Sequence, residues 1–223
     1  TMLQRIGVSS LDDLYSDVPS DFIFKGEYDL PDALSEQQVR DFFEGLAAKT
    51  PRKTVFVGAG AYDHYTPAVI PQITSRSEFL TAYTPYQCEI SQGTLRYIFE
   101  YQTMICNLTG MDVSNASMYD GPSAAAEAVR FCLACTRKKS KVLLSSTLLP
   151  HVVQTVLSYA KWAGTQIELI GSKDGQTDFD ALCNALQDST VGGVLVPSVN
   201  RFGIVEDHEG FADEVHKAGA LLV

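Results

Sequence analysis

The chain has 223 residues, 45% hydrophobic and 20% charged, which is enough apolar material for a sizeable buried core. Seventeen basic against 27 acidic side chains give a net charge of −10, so no basic field points to nucleic acid or to an anionic membrane surface. The longest apolar runs, at 191 to 196 and 218 to 223, fall far short of the roughly 20 residues that a membrane-spanning helix needs.

The opening stretch TMLQRIGVSSLDDLYSDVP is polar and acidic and lacks the basic-then-apolar order of a secretory signal, and Thr1 before Met2 hints at processing. Five cysteines, at 88, 106, 132, 135 and 183, are an odd number that suits a reducing compartment, so a cytoplasmic protein is expected. In that setting the glycosylation patterns at Asn107 and Asn115 are chance matches. Ser10 is a plausible cap for a first helix. The segment SEQQVRDFFEGLAAKT predicts a second, with Val39, Phe42, Phe43 and Leu46 at i, i+3, i+4 and i+7.

A β-like run, KTVFV, leads into Gly58-Ala59-Gly60. The dinucleotide fingerprint this suggests is rejected, because Asp63 stands where the third glycine belongs and Pro67 and Pro71 interrupt the receiving helix. Asp63 and His64 form a candidate acid/base pair, although a lone loop histidine is more often inert. Next comes TAYTPYQCEISQG, which packs Tyr83, Thr84, Tyr86, Gln87, Glu89, Ser91 and Gln92 around one proline, a polar density that a plain connection does not need. From Gln92 to Leu108 the apolar spacing of Leu95, Ile98, Phe99, Met104, Ile105 and Leu108 predicts a helix, with Gly110 to stop it.

After residue 112 the pattern becomes regular. A turn at Asp120-Gly121-Pro122 opens a helix with Pro122 in its first turn and the Ser123 hydroxyl beside its start, where free amides could hold a phosphate. Asn115 and Ser117 shape the approach to this turn. Cys132 and Cys135 form a C-x-x-C in that helix, but no second pair or histidine pair accompanies them, so no metal or redox site is expected. Strands KVLLSS, TQIELIG, VGGVLVPS and ALLV then alternate with helices PHVVQTVLSYAKWAG, DFDALCNALQD and EGFADEVHKAG. Continuous apolar strands in this alternation predict a parallel sheet covered on both faces, with ligands beyond the strands' carboxyl ends. Those ends carry Ser145 and Ser146, then Gly171 to Lys173, then Ser198 to Arg201. Arg201 is the best spare cation for a carboxylate, and His208 and Glu209 are expected to open the last helix. The organisation read from the sequence is a helical segment with a glycine- and proline-rich loop over 1–80, then an α/β large domain over 81–223. That domain is expected to be incomplete at its C-terminus, since the sequence stops inside ALLV.

This order resembles the large domain of fold-type I pyridoxal-phosphate enzymes. More sharply, GAGAYDHYTPAVI, TAYTPYQCEISQGTL, YQTMICNLTGMDVSNASMYDG and SAAAEA resemble the amino-terminal half of the P-protein family of the glycine cleavage system, in particular the first subunit of its split bacterial form. The resemblance covers residues 2 to 223. It implies decarboxylation of glycine on pyridoxal phosphate, with the aminomethyl group passed to the lipoyl arm of H-protein. It also implies a heterotetramer in which glycine dehydrogenase subunit 2 carries the Schiff-base lysine and holds most of the cofactor. None of the nine lysines here stands at that position: Lys217 lies in a helix, and Lys138, Lys139 and Lys141 crowd a helix-to-strand connection. The cofactor is thus expected to form no covalent bond to this chain, and no catalytic residue is assigned.

The pocket candidates that follow from the resemblance are Tyr83, Thr84, Tyr86, Gln87, Glu89, Ser91 and Gln92, whose neutral donors could orient a small zwitterion or a phosphate. Glu89 could hold an amine or an arginine across an interface. Weaker candidates are His64, Asn115, Ser123 and Arg201. The bland alternative makes the tyrosines interface anchors and Ser91 a helix cap, in a purely structural subunit that contributes no active-site group.

Overall fold

The computed structural model describes residues 2–58, 60 and 62–223. Thr1, Ala59 and Ala61 lie outside the described residues, and with them the readings of the first residue and of the Gly-Ala-Gly turn. Two compact units divide the chain at residues 55 and 56.

In the first unit, α1 (Met2–Ile6) and α2 (Glu36–Ala48) flank two short 3-10 turns, Asp12–Tyr15 and Ser20–Phe22. The helix expected after Ser10 is only such a turn. The Ser10 hydroxyl accepts the Asp13 amide at 3.2 Å, while the Asp13 carboxylate takes the amides of Ser9 and Ser10 at 2.8 and 2.9 Å, which closes the chain on itself locally. Helix α2 matches its predicted span because Ser35 and Gln38 form a reciprocal capping box at its start.

The second unit begins with α3 (Val69–Thr74), α4 (Ser77–Leu80) and α5 (Gln92–Thr109). Residues 53–57 form no strand despite their β-like composition; a strand needs a neighbour to pair with, and Phe56 and Val57 are exposed. Pro71 is accommodated in the first turn of α3, where its missing N–H leaves no bond unmade. Gly110, at φ 73°, stops α5 as expected.

The rest is the predicted α/β domain. Helices α6 (Gly121–Cys135), α7 (Pro150–Ala163), α8 (Phe179–Ala185) and α9 (Phe211–Lys217) cover a sheet of β1 (Lys141–Ser145), β2 (Gln166–Ile170), β5 (Val191–Leu195) and β6 (Leu221–Leu222). All pairings in this sheet are parallel, in the order β2-β1-β5-β6. Side chains alternate across it. Leu143 and Val194 point to Leu182, Phe211 and Val215 on one face, and Val142, Leu144 and Leu195 to Ala126, Val129 and Val156 on the other. This three-layer arrangement is the one expected of a fold-type I large domain. Gly193 allows a close helix approach: a Cβ there would lie 2.7 Å from both Cβ and Sγ of Cys132 on α6.

A hairpin of β3 (Ser172–Lys173) and β4 (Gln176–Thr177) was not anticipated from the sequence. Its signal was the Asp174-Gly175 pair, whose φ values of 52° and 77° make the tight turn that antiparallel strands require. The last helix starts at Phe211, after Gly210 in the left-handed region, and not at His208 and Glu209. The Glu209 amide is instead taken by the Asp207 carboxylate.

Candidate functional site

From β1 the chain passes through α7 to β2 on one side, then crosses through α8 to β5 on the other. The carboxyl ends of β1 and β5 are therefore the topological switch point, where ligands of open parallel sheets bind. A closed polar cluster occupies this place. Glu206 is buried, and its Oε1 accepts the Thr147 hydroxyl at 2.6 Å and the Asn200 amide at 2.8 Å. Its Oε2 accepts the Thr177 hydroxyl at 2.6 Å and the Thr177 backbone N–H at 3.0 Å. The Ser145 hydroxyl shares protons with those of Thr147 and Thr177, at 2.7 Å each. Burial pushes the Glu206 carboxyl up, but the bonds from Thr147, Thr177 and Asn200 outweigh it, and the group sits below its usual range.

Asn200 is equally committed. Its Nδ2 also donates to Gly175 O at 2.7 Å, and its Oδ1 accepts the amides of Phe202 and Ile204 at 2.9 and 3.2 Å. This cluster fastens a small turn, bridged between Val199 and Val205, to the loops that follow β1 and β3. Arg201 rides on the turn, exposed, with its guanidinium 4.8 Å from the Phe202 ring centroid. His208 Nε2 lies 3.4 Å from Glu206 Oε2 without forming a hydrogen bond, and its ring meets Phe211 edge-on at 5.0 Å.

Thr147, Thr177, Asn200 and Glu206 were not singled out from the sequence. The strand-end rule came within one residue of Thr147 and touched Asn200. A carboxylate directly after the apolar run FGIV was the remaining clue, since such a group needs donors wherever it is buried.

The polar segment before α5 lies in the open. Tyr83 and Tyr86 are each 81% exposed, with ring centroids 6.3 Å apart and planes tilted by 47°. Backbone bonds from Tyr86 N to Thr84 O at 2.8 Å and from Ser91 N to Gln87 O at 3.0 Å fold the segment into successive turns that bring the two rings together. Thr84, Gln87 and Glu89 are exposed along it. Ser91 occupies the N-cap position of α5, but its side chain makes no capping bond; Gln92 reaches back instead, Nε2 to Cys88 O at 2.8 Å. Helix capping therefore accounts for none of this segment's hydroxyls. Among the described residues, no hydrogen bond or ring contact joins the segment to His64, Asn115, Ser123 or Arg201. His64 is exposed, and Asn115 lines a shallow groove with Met118 and Phe131 beside α6.

Pyridoxal phosphate needs a cradle for its phosphate, a carboxylate for its ring nitrogen and a lysine. The start of α6, the expected cradle, already holds the Asp120 carboxylate, which accepts the Ser123 amide at 2.7 Å. The Ser123 hydroxyl and amide keep the Asp120 carboxyl below its usual range, so a phosphate would meet a fixed negative charge. Glu206 has every lone pair engaged. Lys139 donates to Ala218 O, Lys141 pairs with Glu168 and Asp188, Lys217 pairs with Glu214, and Lys173 on the exposed hairpin faces Asp180 at 3.9 Å. The residues at this switch point do not fit the cofactor.

Comparison with known proteins places the whole chain. The family model of the glycine cleavage system P-protein matches residues 1–223. The probable glycine dehydrogenase (decarboxylating) subunit 1 of Anoxybacillus flavithermus is 50% identical over 225 residues, and that of Koribacter versatilis 44%; each alignment takes in 100% of this chain and 50% of the relative. The crystal structure of a glycine decarboxylase (P-protein) of the glycine cleavage system, in inhibitor-bound form, superimposes with a TM-score of 0.85 at 39% identity, covering 99% of this chain and 49% of that one. The chain thus spans about half the length of the relatives it matches. With a parallel α/β sheet, a whole-length family match and a superposition over nearly every residue, the chain belongs to the glycine cleavage system P-protein family.

Proposed function

We propose that this chain is a segment of subunit 1 of a split cytoplasmic glycine decarboxylase. It works with a lysine-bearing subunit 2 that holds pyridoxal phosphate, and the assembled enzyme passes the aminomethyl group of glycine to the lipoyl arm of H-protein. The observation that carries this reading is a contrast within one chain. The switch point of its own sheet is sealed by Glu206 and Asn200, while the hydroxyl-rich Tyr83–Tyr86 pair stands exposed on a separate segment.

Pyridoxal phosphate, when bound, supplies the electron sink that makes loss of the glycine carboxylate possible. The work of this chain is positional. The hydroxyls of Tyr83, Thr84 and Tyr86 and the amide of Gln87 are neutral donors suited to orient the glycine carboxylate. Glu89 offers an acceptor for an ammonium or a guanidinium. The tyrosine rings would exclude water from the partner's pocket, which strengthens every polar contact inside it.

The test combines the full-length subunit with its lysine-bearing partner and assays glycine decarboxylation, then repeats a borohydride-trapping experiment with pyridoxal phosphate on each subunit alone. Activity only in the mixture, with trapped cofactor on the partner, is expected. Strong trapping on a lysine of this chain would overturn the division of labour.

A further inference from the structure

We infer that the Glu206 carboxylate is an internal ligand: it fills a pocket for a small carboxylate anion at the switch point of the sheet, and it closes that pocket to an anion from outside. The pocket is separate from the two-subunit reading above and does not depend on it.

Three elements far apart in sequence make the pocket: the loop after β1 through Thr147, strand β4 through Thr177, and the turn after β5 through Asn200. They aim four donors at one carboxylate, and none of the three residues is more than 7% exposed. Groups that converge from separate loops beyond the carboxyl ends of parallel strands are how open sheets hold their ligands. Here the guest arrives on the returning arm of the turn itself.

The hosts are fixed by bonds of their own. Asn200 Oδ1 accepts the amides of Phe202 and Ile204, which decides the way its amide group faces. The Thr147 amide donates to the Ser145 hydroxyl at 3.1 Å, and Thr177 is set by its pairing with Ser172 across the hairpin. None of these bonds involves Glu206. The donors therefore keep their places when the carboxylate is taken away.

Charge points the same way. Among the described residues no lysine or arginine pairs with Glu206; the group that faces it is His208, whose buried Nε2 lies 3.4 Å from Oε2 and has no hydrogen-bond partner. Burial opposes the charge, yet the bonds from Thr147, Thr177 and Asn200 hold the Glu206 carboxyl below its usual range. A site that prefers the charged form of a carboxyl to the neutral one is a site for carboxylate anions in general. Bracing alone does not require one, since a buried ion can often be exchanged for an apolar group of like volume without loss.

Glu206→Ala removes one methylene and the carboxylate, a loss the size of acetate, and leaves the Thr177 N–H and one Asn200 N–H facing the gap. The test measures thermal midpoints of the full-length parent subunit, Glu206→Ala and Glu206→Gln in sodium acetate or formate, against sodium chloride at equal ionic strength. Either carboxylate should raise the Glu206→Ala midpoint saturably, and ten times the half-saturating concentration should multiply its folded-to-unfolded ratio about elevenfold. The parent and Glu206→Gln, whose side chains still fill the place, should respond no more than they do to chloride. A Glu206→Ala midpoint indifferent to both carboxylates overturns the proposal, and so does an equal rise in all three proteins, which is a general salt effect. If Glu206→Ala does not fold in chloride, it is refolded from urea: recovery in acetate alone supports the internal ligand, and failure in both salts overturns it. No partner subunit and no activity assay enters, so the two-subunit reading stands or falls by its own test.

Discussion

Thr147 donates its hydroxyl to Glu206 at 2.6 Å across 59 residues of sequence, and this bond ties the loop after β1 to the loop after β5. The carboxylate it reaches accepts three further bonds, from Thr177 twice and from Asn200. Replacement of Glu206 by Gln would place an amide NH2 against the Thr177 N–H, two donors facing one another. A loss of about 1 to 3 kcal/mol is expected for Glu206→Gln, and more for Glu206→Ala, which leaves the Thr177 N–H and one N–H of Asn200 without an acceptor in a buried place. Urea unfolding of the full-length subunit checks this through the midpoint, with the slope unchanged. A Glu206→Ala protein as stable as the parent would mean that the cluster is structurally idle.

The same carboxylate gives stability a dependence on pH. Its folded value lies below the ordinary 4.5, because its hydrogen bonds outweigh the opposing effect of burial. A depressed carboxyl contributes stability that is fully present above the unfolded value and is lost as pH falls through the folded one. Unfolding free energy should therefore hold near neutrality and fall below about pH 4.5, and Glu206→Gln should flatten that fall. Parallel curves for parent and variant between pH 3 and pH 6 would contradict the assignment.

The parts of this architecture that were readable in the sequence are those that local periodicity encodes. Leu143 and Val194, and Val142 and Leu195, alternate because a strand alternates, and α2 and α5 carry their faces at helical spacing. The Glu206 cluster has no such period. Thr147, Thr177 and Glu206 meet only because the chain crosses the sheet between β1 and β5, and no window of sequence contains all three. The KTVFV run failed in the opposite sense, since its composition suits a strand but strand formation depends on a neighbour that composition does not reveal. For the polar segment, the sequence marked the residues, and the structure adds that Tyr83 and Tyr86 form one exposed pair while Ser91 caps nothing through its side chain.

Gly193 offers a separate test of the core. Its φ is not in the left-handed region, so alanine is acceptable to the backbone there, but the new methyl would stand 2.7 Å from Cβ and Sγ of the fully buried Cys132. A helix backbone cannot retreat as the end of a flexible side chain can. Gly193→Ala should cost about 1 to 3 kcal/mol, and Gly193→Ala with Cys132→Gly should recover part of it. Denaturant midpoints of the two variants decide whether α6 and β5 are in contact at this point.

Cysteine chemistry should separate along the same lines. Burial, aided by neighbouring Cys135, pushes the Cys132 thiol up to about 11, whereas Cys88 and Cys135 are exposed. At pH 8 a disulfide reagent should modify Cys88 and Cys135 in the folded protein and reach Cys132 only after unfolding, because the thiolate is the reacting species. Peptide mapping after brief labelling reads this directly. Rapid labelling of Cys132 in the native state would revive a chemical role for the C-x-x-C.

The most direct test of function lies at the tyrosine pair. Tyr83 and Tyr86 expose both ring and hydroxyl, so Tyr→Phe removes one hydrogen-bonding group and leaves nearly all of the ring surface in place. If the rings only anchor an interface, Phe serves as well as Tyr, and assembly and activity both persist. If a hydroxyl orients glycine or the cofactor phosphate in the partner's pocket, assembly persists while kcat/KM for glycine decarboxylation falls, by about tenfold for one neutral hydrogen bond worth near 1.4 kcal/mol. A fall carried by kcat would place the bond in the transition state; one carried by KM would place it in ground-state binding. The expected outcome is a loss of activity at one of the two positions with unaltered subunit affinity, measured on the same preparations. Full activity in both Tyr83→Phe and Tyr86→Phe would leave the segment as an anchor and return the subunit to a purely structural role.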